Sequence, residues 1–389
     1  MYNCKLLALL SLAIVANAEV LCQKEVVVKS AADLTTLNGC FDGVAISHTE
    51  LEYINLAGLT SVGNLTVSNN KKLQSVTLPL LKSARILNFQ DNVNLGEINI
   101  AKLTSAQEVS IINNSNLKQM NFPAGLEKVN KMDINNNGIA TLDGLKFDEL
   151  DTIFVAANRN LKTLALTNLT SINGDLTVVN NNMKFELSAP KLVTSKNLNI
   201  NNVTNLNLNS LNKVSNVLDF SYNFFEEVEL NVTHIGATLS FIGNSQLKNI
   251  SFPELEEIGG SLFLANNSAL NVIDGFKDLQ TIYGSLNVSG PISNITLPDL
   301  KKIGGISSVK SSDKFDCATF RTFIRSVTNS TKFNCTEEKD LDNGKNDKEV
   351  KDHKDDKSDK DDHSDKKGSA NTIRSGLAVV VAIAVSLFI

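Results

Sequence analysis

Asp133 and Asp219 are the two carboxylates of this 389-residue chain whose placement first suggests an acid–base pair. Both fill the middle of a recurring phrase, apolar–any–apolar, and alternation along a strand turns that middle position outward. Down the chain the position reads Thr66, Asn88, Ser110, Asp133, Phe154, Thr177, Asn199, Asp219, Ser240, Phe263, Asn287. The two acids are four copies apart, roughly 19 Å at about 4.8 Å per stacked copy. Glycosidase carboxylates work about 5–10 Å apart, so these two cannot act together. Asp91 and Glu97, in the loops, belong to no recurring acidic cluster. His48 and His234 fall within the repeats with no second ligand beside either, and no nucleophile-elbow, zincin or phosphate-loop pattern occurs. No catalytic residue, metal or cofactor is expected. Phe154 and Phe263 break an otherwise polar column and are candidate binding contacts; a local shift of register that buries them is the competing reading.

The remaining chemistry is covalent. The chain has five cysteines, of which Cys4 lies in an apolar leader. Cys22 with Cys40 and Cys317 with Cys335 form two equally spaced pairs near opposite ends of the repeat array. Stacked copies separate those ends by tens of ångströms, so only local bridges are feasible, and their spacing fits no zinc pattern. Sequons lie at Asn64, Asn113, Asn168, Asn202, Asn231, Asn249, Asn266, Asn287, Asn294, Asn329 and Asn334, as in a secreted chain.

These residues must be held by the repeat itself. The phrase continues into two polar residues and an Asn, as in Leu65-x-Val67 with Asn70, Leu87-x-Phe89 with Asn92, and so on to Leu262-x-Leu264 with Asn267. Leu198-x-Ile200 and Leu286-x-Val288 keep the strand but put Val203 and Pro291 where the Asn would be. Its period of roughly 20–24 residues is that of a solenoid. The Asn suits a corner, bonding nearby backbone and tolerating left-handed dihedrals. A second apolar set follows (Leu73/Val76/Leu78), then a third, often before Gly-Gly (Gly259-Gly260, Gly304-Gly305). One coil cannot bury these faces alone, so the array folds as a unit, its end coils capped by the disulfides. The missing Asn at Val203 suggests a division into two lobes near residue 200.

Residues 1–18, with Lys5, an apolar run and Ala16-Asn17-Ala18, read as a secretory signal, leaving residues 19–336 as the solenoid. Residues 337–367 turn to Asp, Lys, Glu, His and Ser, a composition that cannot order itself, and are expected to be a disordered stalk. His353 and His363 within it read as part of a solvated polyampholyte. Residues 368–389 end in the apolar run Leu377–Ile389, too short to span a bilayer comfortably. Small residues precede a polar spacer there, as in a GPI-attachment signal, with Gly368 as attachment residue and Ser369 next. The formal net charge of −5 gives no reason to expect nucleic acid.

Leu65-Thr66-Val67-Ser68-Asn69-Asn70-Lys71-Lys72-Leu73, together with the terminal Cys pairs, resembles the coils of receptor L domains. With the leader, the sequons and the C-terminal signal, the chain resembles the fungal GPI-anchored family of sporulation-specific and extracellular-mutant cell-wall proteins. The resemblance implies an all-β, right-handed parallel β-helix of leucine-rich-repeat-like coils, about 22 residues each. It also implies an extracellular, non-enzymatic role in wall organisation, at the plasma membrane or in the wall, in contact with wall polysaccharide or wall proteins. An L-domain receptor or adhesin for a peptide or protein is the alternative, and a β-helix wall glycanase ranks last. The Lys/Asp-rich stalk departs from the family's usual Ser/Thr-rich one, against heavy O-mannosylation there.

Overall fold

The computed structural model describes residues 22–328 and 333–336, all lying within the unit Met1–Gly344. The leader (1–18), the stalk (337–367), the C-terminal signal (368–389, with Gly368 and Ser369) and Asn329 lie outside the described residues.

The described chain is an all-β parallel solenoid. Its principal sheet contains 21 strands among the described residues, and consecutive coils pair in parallel with the phrase in register: Leu65 against Leu87, then Val109, Met132, Ile153 and Leu176. Alternation sends the flanking apolar residues inward to full burial. Short parallel strands on a second side, such as Tyr53–Asn55, Ser75–Thr77 and Glu97–Asn99, bring in the second apolar set. Short strands of the same sheet, before each phrase strand, bring in the last set: Ile258 pairs with Ile282, and Ile282 with Ile303. There the Gly-Gly pairs find their reason. A Cβ on Gly259 would strike the carbonyl oxygen of Gly236 one coil back, and one on Gly304 that of Tyr283, so only glycine lets the coils close.

The phrase Asn behaves differently from its expectation. The left-handed corner falls on the residue before it (Asn69, Asp91, Asn113, Asn136, Ala157, Asn180, Tyr222, Gly243, Asn266), and also on Asn202 before Val203. The Asn itself is buried. Each Nδ2 donates to a strand carbonyl of the preceding coil and, except at Asn181 and Asn267, to the Oδ1 of the next Asn, which also accepts the backbone N–H of the donating Asn. Asn92, for instance, donates to the Val67 carbonyl (2.8 Å) and to Asn114 Oδ1 (3.3 Å), and Asn114 Oδ1 takes the Asn92 N–H (3.2 Å). The corners are therefore stapled to adjacent coils, more than to their own turn. The ladder starts on Thr49, runs through Asn181, and resumes at Asn223, whose Oδ1 receives the Val203 N–H. Pairing of the principal strands continues past residue 200, where Leu198 and Ile200 oppose Leu218 and Phe220; the amide ladder and the second-side pairing, which stops at Val203–Asn207 and restarts at Glu227–Glu229, are interrupted there.

Disulfides Cys22–Cys40 and Cys317–Cys335 join residues 18 apart at the two ends. At the C-terminal end the helix Cys317–Val327 is N-capped by Asp316, whose carboxylate accepts the Ala318 and Thr319 N–H groups. Its buried stripe Cys317, Phe320, Ile324 and Val327 lies at helical spacing, covering the apolar end that stacking leaves open.

Candidate interaction surface

The outward face of the principal sheet presents parallel columns of side chains. The central column repeats the sequence reading in register: Thr66, Asn88, Ser110, Asp133, Phe154, Thr177, Asn199, Asp219, Ser240, Phe263, Asn287. Crowding by rungs above and below leaves most of these half-buried, Phe154 and Phe263 among them. Asp219 and Ser240 depart from the expectation of an outward, solvated column. They are 6% and 2% exposed, because the Ser240 hydroxyl and the Ser221 hydroxyl both donate to the Asp219 carboxylate and the cluster closes on itself.

Asp133 is the reverse case. Its Oδ1 is buried with no hydrogen-bond partner, as is that of Asn88 two rungs away. Burial, and then the charge of Glu108 on the adjacent strand, push its carboxyl up to about 6. Burial also raises Asp219, against the two serine hydrogen bonds that favour its ionised form. The column carries these two acids four rungs apart, too distant for shared acid–base work, and no group of His, Cys, Asp or Glu among the described residues is arranged to hold a metal. His48 sits at a left-handed corner; His234 is half-buried between register partners Lys213 and Glu257.

The raised carboxyl has a measurable consequence. A folded-state pKa above the unfolded value of about 3.9 means that the native state holds the proton more tightly. Stability from Asp133 is full below about pH 4 and is lost as pH rises through about 6. Asp133→Asn should stabilise the protein at neutral pH by about 1 kcal/mol, a value reduced for the carboxyl's partial solvent contact. It should also flatten thermal stability between about pH 4 and 6. An unchanged pH profile of Tm would refute the assignment.

The sequons map unevenly onto this frame. Asn113, Asn202 and Asn266 occupy left-handed corners. Asn168, Asn231, Asn249 and Asn294 lie in or just after second-side strands. Asn64 and Asn287 are on the principal face, near its ends, and Asn334 is on the last strand. Between the strands of Asn64 and Asn287 the face carries none, over roughly 40–50 Å of stacked coils. Sequence reading had every sequon but could not see that they spare one face. A cavity of about 410 Å3 lies against Phe315, Phe320 and Phe323 beside the C-terminal helix.

No family model matches the chain, and no solved structure does. A curated relative, "Cell surface GPI-anchored protein" of Arthroderma benhamiae, is 32% identical over 324 residues, covering 82% of this chain and 84% of the relative. The chain belongs to this family of fungal cell-surface GPI-anchored proteins. "Sporulation-specific protein 2" of Saccharomyces cerevisiae is 30% identical over 247 residues, 57% of this chain and 49% of that protein. "Protein ecm33" of Aspergillus fumigatus is 27% identical over 200 residues, 51% and 50%. The chain thus matches about half the length of these two relatives. Membership in the GPI-anchored family makes it an extracellular protein of the cell surface and wall, and the relatives' names are those of surface and wall proteins, none an enzyme's.

Proposed function

We propose that this family member is a non-enzymatic, GPI-anchored glycoprotein that organises the fungal wall by presenting the principal sheet face to wall components. The observation that carries this reading is the sequon-free stretch of that face between Asn64 and Asn287. Glycans on the corners and the second side would leave this one broad surface bare, and the wide spacing of Asp133 and Asp219 argues against hydrolysis. In the reading, the leader is cleaved after Ala18, the solenoid occupies residues 19–336, residues 337–367 hold it off the membrane, and Gly368 receives the lipid.

Cells expressing the protein tagged just after Ala18 should release it on treatment with a phosphatidylinositol-specific phospholipase or a wall glucanase, as a heavily N-glycosylated band. A strain lacking the gene should be hypersensitive to wall stressors. Free secretion of the tagged protein, or normal resistance in the deletion strain, would defeat the proposal.

A further inference from the structure

Beside the last coil lies a groove with a sequon in its wall. Strand Asn294–Ile295 is the final second-side strand and pairs only backwards, with Val272–Ile273. The following coil forms no strand on that side; after Ser307–Ser311 the chain turns through Phe315 and Asp316 into the capping helix. Helix and strand therefore face each other across the cavity of about 410 Å3. Asn294 and Thr296 are exposed in one wall, with buried Ile295 turned to the core between them, as alternation requires. Asn294 Nδ2 donates to Thr296 Oγ1 at 3.2 Å, so both side chains of the sequon share the face that opens on the groove. Across the gap the helix contributes the half-buried Phe323, its ring held against buried Phe320 at 5.6 Å between centroids. Phe315 meets Phe320 edge-on at 5.4 Å. Asp316 is exposed at the helix start, and its Oδ2 takes the Thr319 hydroxyl at 2.6 Å, which leaves that oxygen capacity for a further donor.

We infer that Asn294 carries an N-linked glycan whose first N-acetylglucosamine seats in this groove against Phe323 and clasps the capping helix to the last coil. Tether and chemistry together select this occupant. A glycan on Asn294 starts inside the groove, at an effective concentration that no free ligand has. Its first sugar is uncharged, with C–H faces and an acetamido methyl that suit a phenylalanine wall, and with hydroxyls that can donate to Asp316. Asn249, exposed on the same side two coils earlier, has another strand beyond it and no helix opposite, so a glycan there projects into solvent. Attachment is a group transfer from a lipid-linked diphosphate oligosaccharide of the secretory pathway. The sugar C1–O bond breaks as the Asn294 Nδ2–C1 bond forms, Nδ2 gives up one proton, and the lipid diphosphate leaves with the bonding electrons. The inference rests on the glycoprotein reading above, and deepens it by giving one glycan a structural task.

The test uses the full-length protein, purified in detergent from a fungal secretory host. Peptide mass spectrometry should find Asn294 glycosylated. An endoglycosidase that cuts between the first two sugars should act about tenfold more slowly at Asn294 than at the other occupied sequons of the folded protein. Denaturation should erase that difference. Thr296→Ala removes the sequon at the cost of one surface hydrogen bond, and should speed hydrogen exchange in the helix Cys317–Val327 about tenfold. Thr296→Ser, which keeps the sequon, and Asn249→Gln, which removes a solvent-facing one, should both leave that exchange at the wild-type rate. Phe323→Ala should keep the Asn294 glycan but make it as easily cut as the others. If that variant fails to fold, the wild-type digestion rates and the Thr296 pair still decide. Asn294 bare while other sequons are occupied, equal digestion rates in the folded protein, or helix exchange indifferent to Thr296→Ala would overturn the inference and leave the functional reading standing. A chain without sugar at any sequon would sink the glycoprotein reading as well.

Discussion

Replacing Asn114 with leucine should lower the stability of the solenoid by about 4 kcal/mol. Asn114 Nδ2 donates to the carbonyls of Phe89 (2.9 Å) and Ile112 (3.0 Å) and to Asn137 Oδ1 (3.2 Å). Its Oδ1 accepts the Asn92 N–H (3.2 Å) and the Asn92 Nδ2 (3.3 Å). All five bonds are internal, and the side chain is fully buried. Leucine supplies none of them, so two or three buried donors and acceptors in neighbouring coils lose their partners, at roughly 1–3 kcal/mol each. The apolar gain of a leucine is no match for that, because the site is lined by amides and carbonyls. Urea unfolding followed by circular dichroism would read the loss, with the exposed neighbour Asn94→Ala as a control expected to stay within about 0.5 kcal/mol. A cost below about 1 kcal/mol for Asn114→Leu would show that the ladder is incidental to the fold.

Phe241→Ala should be of comparable size, about 4 kcal/mol, from cavity formation and lost ring contacts. Phe241 is wholly buried, stacked on Phe220 with ring centroids 4.9 Å apart and edge-on to Phe252 at 6.0 Å. Phe252 in turn stacks on Phe276 at 5.6 Å. The chain of rings fills the interior where the coils carry Phe instead of Leu or Val, and its rigid parallel backbone cannot collapse around a hole the size of a ring. Phe241→Leu should cost only about 1–1.5 kcal/mol, since it keeps most of the volume. Equal losses for Ala and Leu would mean that ring stacking, not volume, dominates there. Because solenoid stability is nearly a sum of coil and interface contributions, either substitution should also open the coils nearest to it first, which hydrogen exchange would localise.

Much of this architecture was legible in the residues because a solenoid is periodic. The apolar alternation of Leu65-x-Val67 and its copies, a second apolar set and glycine pairs recurring at a constant interval leave few other ways to bury so many faces. Cysteine pairing followed from the same argument, because ends separated by many coils cannot meet. The family resemblance, too, was carried by local residues: a corner Asn after most of the phrase strands, sequons throughout, and small residues before a terminal apolar run.

What the sequence could not settle are the properties that belong to neighbouring coils together. The corner Asn looked like a turn residue, and only stacking shows it buried, bonded to the Asn of the next coil, with the left-handed dihedral one residue earlier. Asp219 read as a solvated outward acid until Ser240, one rung on, was seen to donate to it; Asp133, in the same column, meets no such donor and keeps a buried orphan oxygen. Gly259 and Gly304 stood out as recurring Gly-Gly pairs after the third apolar set, but their necessity lies in a carbonyl of the coil before. Sequons spaced evenly enough along the chain resolve into a glycan-free face only after winding assigns each to a side. A one-dimensional pattern determines which way a side chain points, because pleat and period are local. What that side chain touches is set by residues about 22 positions away, and only the tertiary structure brings those into contact.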